Sequence, residues 1–169
     1  MKNTLAKKLA FLSVSVALAM ILSFVEAQIP PLTSLPGVKI GLANIVTLFV
    51  LYKLGWREAV GVSLIRVFLS ALLFGSFVSL TYSAFGAALS LIVMILAKRF
   101  LPFSSLGVSV IGALMHNVGQ ILAAWIYLGN GAIVYYLIPL TVSGTLAGIF
   151  VGVLGGIVAQ RVKIKGHRK

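Results

Sequence analysis

Tyr52-Lys53-Leu54-Gly55-Trp56-Arg57-Glu58 places two cations on a glycine turn between two long apolar stretches. The same punctuation recurs in both directions from there. Lys98 and Arg99 stand one long interval downstream. Lys2, Lys7 and Lys8 open the chain, and Arg161, Lys163, Lys165, Arg168 and Lys169 close it. Each interval between clusters has room for one helical hairpin through a bilayer, and the midpoints carry almost no charge. This is the positive-inside pattern of six spans with both termini cytoplasmic.

Composition agrees. Of 169 residues, 60% are hydrophobic and 9% charged. A soluble domain carries far more charge, so lipid is the expected solvent. The length suits one compact bundle, a single transmembrane domain over residues 1–169, in a bacterial plasma membrane. The formal charge of +12 would fit nucleic acid, but the cations sit at span ends, where anionic headgroups attract them. Nucleic acid is therefore not expected. The chain has no cysteine, which excludes disulfides and thiolate chemistry. Val25-Glu26-Ala27 loosely fits a signal-cleavage site, but the apolar run from Leu9 to Val25 is long for a signal core.

About 20 apolar residues cross the hydrocarbon core, with about 17 to 25 tolerated. On that measure the expected spans are 9–25, 39–54, 59–78, 81–97, 106–128 and 132–160. The segment 26–38 is external and broken by Pro30, Pro31, Pro36 and Gly37. Pro102 stops a helix in the link 98–104, and Pro139 kinks the last span or marks its start. Gly144, Gly148, Gly152 and Gly156 recur every four residues. They share one helix face and form a groove for a close neighbour, more naturally within the bundle than from another subunit.

Two cations have no topological role. Arg66 lies inside the third span, where a charge costs at least about 2.5–3.5 kcal/mol. Ser63 and Ser70 share its face. Its reading is open between an ion pair, with Glu26 the only acid in reach, and a ligand contact. Lys39 stands in the string Pro36-Gly37-Val38-Lys39-Ile40-Gly41-Leu42-Ala43-Asn44, at the outer mouth of the second span. A helix N-terminus with a lysine beside it suits an anion, and an interfacial lysine that snorkels suits the same position. In the fifth span His116, Asn117 and Gln120 form a polar wedge, readable as a pocket lining or as interhelical hydrogen bonding. No second histidine or acid is spaced to make a metal site, and no cofactor is expected.

Enzyme signatures are missing. The chain has no aspartate, which rules out paired aspartate-rich magnesium sites. It has no Walker A string and no arguable Ser-His-acid set.

The Glu26…Pro30…Pro36-to-Asn44 segment, Arg66, and the His116-Asn117 pair resemble the membrane family named heptaprenyl diphosphate synthase component I, also called the Gx transporter family. The likeness covers essentially the whole chain. The layout also resembles the S-components of energy-coupling factor vitamin transporters. Those are six-helix proteins that bind a ligand beneath the first external loop and dock on a membrane scaffold with ATPases. The resemblance implies a membrane subunit that captures a small compound; the cations and polar groups read above make that compound an anion, held through Glu26, Lys39, Asn44, Arg66, His116, Asn117 and Gln120. It also implies scaffold contact through Ser13, Ala17 and Ala19. The alternative is a non-catalytic membrane partner in heptaprenyl diphosphate or isoprenoid-quinone synthesis.

Overall fold

The computed structural model describes residues 2–29 and 40–162. Among these there are six α-helices, one 3-10 turn and no strand. The helices are α1 (Lys2–Gln28), α2 (Leu42–Lys53), α3 (Trp56–Phe74), α4 (Phe77–Phe100), α5 (Ser105–Leu128) and α6 (Leu137–Arg161), with the 3-10 turn at Gly131–Tyr136. α1, α4, α5 and the segment Gly131–Arg161 are long and apolar enough to cross a membrane. This is consistent with a multi-pass membrane protein. Large apolar side chains such as Leu64, Phe68, Leu72, Phe77, Ile138 and Leu146 point outward, as expected of a surface solvated by lipid.

α2 differs from its expected span. It has 12 residues, which is about 18 Å of helix, well short of the ~30 Å hydrocarbon core. It begins at Leu42 rather than Lys39 because Gly41 takes a left-handed conformation, φ 80°, that a side chain would resist. α2 is mostly apolar and packs against α1, α3 and α6. Seven of its residues are buried, and Leu48, Val50 and Leu51 are almost wholly enclosed.

Other boundaries follow local chemistry. The turn after α2 is only Leu54-Gly55; Trp56, Arg57 and Glu58 already belong to α3, contrary to the expected four-residue turn. α1 runs on to Gln28, so Glu26 stands on its last turn rather than in a loop. α4 ends at Phe100 because Leu101 precedes Pro102 and is forced into the extended region. Ser76 and Ser104 cap α4 and α5 through their hydroxyls. Gly129 ends α5 in the left-handed conformation. Pro139 sits in the first turn of α6, where its missing N–H breaks nothing.

α4, α5 and α6 pack side by side with α5 in the middle, and glycines set the spacing. A Cβ on Gly148 would lie 2.7 Å from the Val110 Cα, and one on Gly152 would lie 2.8 Å from the Leu106 Cα. Gly144 and Gly156 meet Asn117 and Ser105, so all four glycines of the stripe receive α5. A second crossing joins α4 to α5, where a Cβ on Gly119 would sit 2.5 Å from the Phe85 carbonyl oxygen.

The N-terminal helices join this layer differently. α1 lies on α2 and α3; α2 meets α6, and α3 meets α4. At the basic end Lys98 donates to the Leu51 carbonyl at 2.6 Å. It thereby satisfies a helix-end acceptor of α2, and its ammonium lies 4.7 Å from the Tyr52 ring centre. Lys8 and Glu58 form an ion pair between α1 and α3.

The charge pattern predicts that Asn130 and Ser104 face opposite sides of the membrane. Both are exposed. A cysteine at Asn130, or at Ser34 in the external segment, should react with an impermeant maleimide in intact cells, and one at Ser104 should not. Labelling of Ser104 and not of Asn130 would overturn the topology.

Candidate functional site

A cavity of about 100 Å³ lies between the α1–α3 group and the α4–α6 layer. It exists because the surrounding faces carry small residues. Ala87 on α4, Gly112 and Ala113 on α5, and Gly144, Ala147 and Gly148 on α6 leave space where larger side chains would interlock. The volume is ample for several water molecules or a small solute.

Each helix contributes polar groups at helical spacing. α2 supplies Asn44 and Thr47; α3 supplies Ser63 and Arg66. α4 supplies Ser83 and Ser90, seven residues apart on one face. α5 supplies Ser109, His116, Asn117 and Gln120, and α6 supplies Ser143. Glu26 closes one end with Ile40 and Gly41. From Ser109 to Gln120 the lined face of α5 is about 16 Å long. The bundle therefore holds a cavity with polar groups from every helix inside an apolar shell.

Six of the seven residues named as ligand contacts, Glu26, Asn44, Arg66, His116, Asn117 and Gln120, line this one cavity. The seventh, Lys39, lies outside the described residues, as does most of the proline-rich segment. Ser70 is not with them; its hydroxyl meets the Met20 sulfur instead.

The hydrogen bonds separate structural from available groups. Asn117 donates its amide to the Leu140 carbonyl at 2.6 Å, tying α5 to the first turn of α6, so that donor is spent on packing. The Glu26 carboxylate accepts from the Gly41 N–H at 2.5 Å. It thus joins the end of α1 to the start of α2, and it is near enough to Arg66 to act on it electrostatically. Among the described residues the two do not form a direct ion pair within 4.0 Å. Arg66 reaches Asn44 Oδ1 from Nη2 at 3.4 Å, a long contact, and its Nε has no partner. Thr47 Oγ1 and Gln120 Oε1 are also buried without a partner. Gly86 makes room for His116, since a Cβ there would lie 2.8 Å from the ring nitrogen Nε2.

Chemically, the arrangement is a cavity lined by both polar and apolar groups. It offers one guanidinium, one carboxylate engaged with the main chain, amides and hydroxyls. Among the described residues no three metal-ligating side chains gather.

On α1, Ser13 and Ala17 face outward, whereas Ala19 is fully buried and packs in the core beside α2. Residues 17 and 19 lie on nearly opposite sides of a helix, which is why one is exposed and the other buried.

The family model described as heptaprenyl diphosphate synthase component I matches residues 14–158. No curated protein and no solved structure shows a significant match. The matched region includes α2 to α5 whole and every described lining residue of the cavity. The chain therefore belongs to the heptaprenyl diphosphate synthase component I family.

Proposed function

We propose that this chain is a membrane substrate-capture subunit that takes a small anionic compound from the external face into the central cavity, with both termini cytoplasmic. The observation that carries this reading is Arg66. A guanidinium with an unpartnered Nε, lining a polar cavity among apolar helices, is costly unless something negative meets it. Asn44 orients the guanidinium, and His116 and Gln120 contact the rest of the compound. Glu26 latches the entrance through Gly41, and Lys39 adds positive charge at the mouth. Without an ATP site, uptake needs other subunits, a membrane scaffold with ATPases, and the outward face of Ser13 and Ala17 is the proposed contact.

The family's name favours a second reading, a membrane component of a heptaprenyl diphosphate synthase. On that reading the chain is non-catalytic, since it has no aspartate to hold magnesium on a diphosphate, and its partner is the catalytic subunit.

One purification tests both. The tagged protein should be extracted from its own membranes in a mild detergent. On the capture reading it should retain a small anion, released on denaturation and identified by mass spectrometry, and should bring ATPase and scaffold subunits with it. Recovery of a prenyl synthase, with no retained solute, would favour the second reading and overturn the first.

A further inference from the structure

Arg66 and Gln120 set opposite demands on whatever fills the cavity. The Nε–H of Arg66 can only donate, so it requires an acceptor. Gln120 Oε1 can only accept, so it requires a donor. Both are buried, both belong to lining residues, and neither has a protein partner. Gln120 is 9% exposed and Thr47, a third unpartnered group on the lining, is 4% exposed, so bulk water does not compensate them. The two demands arise on different helices, α3 and α5, that line the same cavity. Ser83, Ser90, Ser109 and Ser143 line it as well.

From this pairing we infer that the captured compound is a small anion that also carries an O–H or N–H donor in addition to its negative group. The inference rests on the capture reading and narrows its substrate class. A solute entering a polar cavity displaces water, and it keeps affinity only where its own groups replace water's hydrogen bonds. A compound with a negative group alone satisfies Arg66 and leaves Gln120 facing carbon. A site built to receive a hydroxyl or amine rejects analogues without one, because its own buried polar atom is then stranded.

The same argument excludes an isoprenoid diphosphate from this cavity. Its head supplies acceptors for Arg66, but its tail has no donor and would lay hydrocarbon against Gln120 and four serines. A hydroxy, amino or ring N–H acid of modest size meets all the demands.

The test uses four probes of one skeleton: pentanoate, 5-methoxypentanoate, 5-hydroxypentanoate and 5-hydroxypentanamide. Each is titrated against the melting temperature of the detergent-purified protein, which gives an apparent Kd. The hydroxy acid should bind about fivefold tighter than either pentanoate or the methoxy acid, the factor expected of one buried hydrogen bond. The neutral amide should bind more than about tenfold weaker than the hydroxy acid, having lost the charge-assisted contact. Gln120→Leu should narrow the gap between hydroxy acid and pentanoate to less than about twofold; if that variant does not fold, the four-probe ranking in the parent protein decides alone. Equal binding of the hydroxy and methoxy acids, or of the hydroxy acid and pentanoate, overturns the donor requirement and leaves anion capture standing. A hydroxy amide that binds as well as the hydroxy acid overturns anion capture itself. If no probe shifts the melting temperature at millimolar concentration, both fail.

Discussion

Leucine at Gly148 or Gly152 is expected to lower the melting temperature in detergent by roughly 2–12 °C. Each Cβ would lie within 2.8 Å of an α5 backbone carbon, Val110 Cα or Leu106 Cα. Backbone cannot rotate aside as a side chain can, so α5 and α6 must separate. Overpacking of this kind costs about 1–3 kcal/mol, and the loss extends along the shared face. Gly148 also lines the cavity, so its leucine variant should lose bound solute as well, whereas Gly152→Leu should mainly lose stability. A melting curve for each variant, with gel filtration to check dispersity, provides the measurement. Two leucine variants that melt like the parent would mean that this crossing does not hold the bundle together.

The second large effect concerns charge. Arg66→Gln should weaken anion binding by about tenfold to a hundredfold, because a charge-assisted hydrogen bond contributes about 1.5–3 kcal/mol. Lys39→Met should act in the same direction. Arg66→Gln also separates two roles of the guanidinium. Glu26 feels Arg66 electrostatically, but its carboxylate is already bonded to Gly41, so losing the arginine does not strand it. The variant should therefore fold and express, and only capture should fall. Poor expression or unfolding would show that the guanidinium mainly neutralises Glu26. A folded Arg66→Gln protein with unchanged binding would remove Arg66 from the site.

Much of this arrangement can be read from the chain before folding. Arg66 and the His116-Asn117-Gln120 wedge stand out because polar groups are rare in apolar spans, and the cavity contains all four. The glycine stripe of α6 is legible because it repeats every four residues. Single glycines carry no such period, which is why the Gly119 crossing is silent in the sequence. The serines of the cavity are hidden for a different reason. In these helices Ser15, Thr141 and Thr145 bond the carbonyl four residues back. Ser143 likewise bonds the Leu140 carbonyl, yet it lines the cavity with Ser83, Ser90 and Ser109, so sequence cannot tell lining hydroxyls from the others. The start of α2 is obscured likewise, since the apolar run gives no sign that Gly41 turns left-handed.

Under the proposed topology, with Lys53 at the inner interface, the 12-residue α2 would place Asn44, and with it Arg66, well inside the low-dielectric layer rather than at its rim. Under the proposed topology an anion arriving from outside must therefore descend through part of the transmembrane voltage. One charge crossing the whole drop changes energy by about 2.3 kcal/mol per 100 mV. A descent through half of it, against an inside-negative potential, costs about 1.2 kcal/mol per 100 mV, or roughly sevenfold in affinity. An energised cell thus lowers the site's occupancy, and depolarisation raises it. The membrane potential acts as a competitor of the substrate, and Arg66 must outbid it.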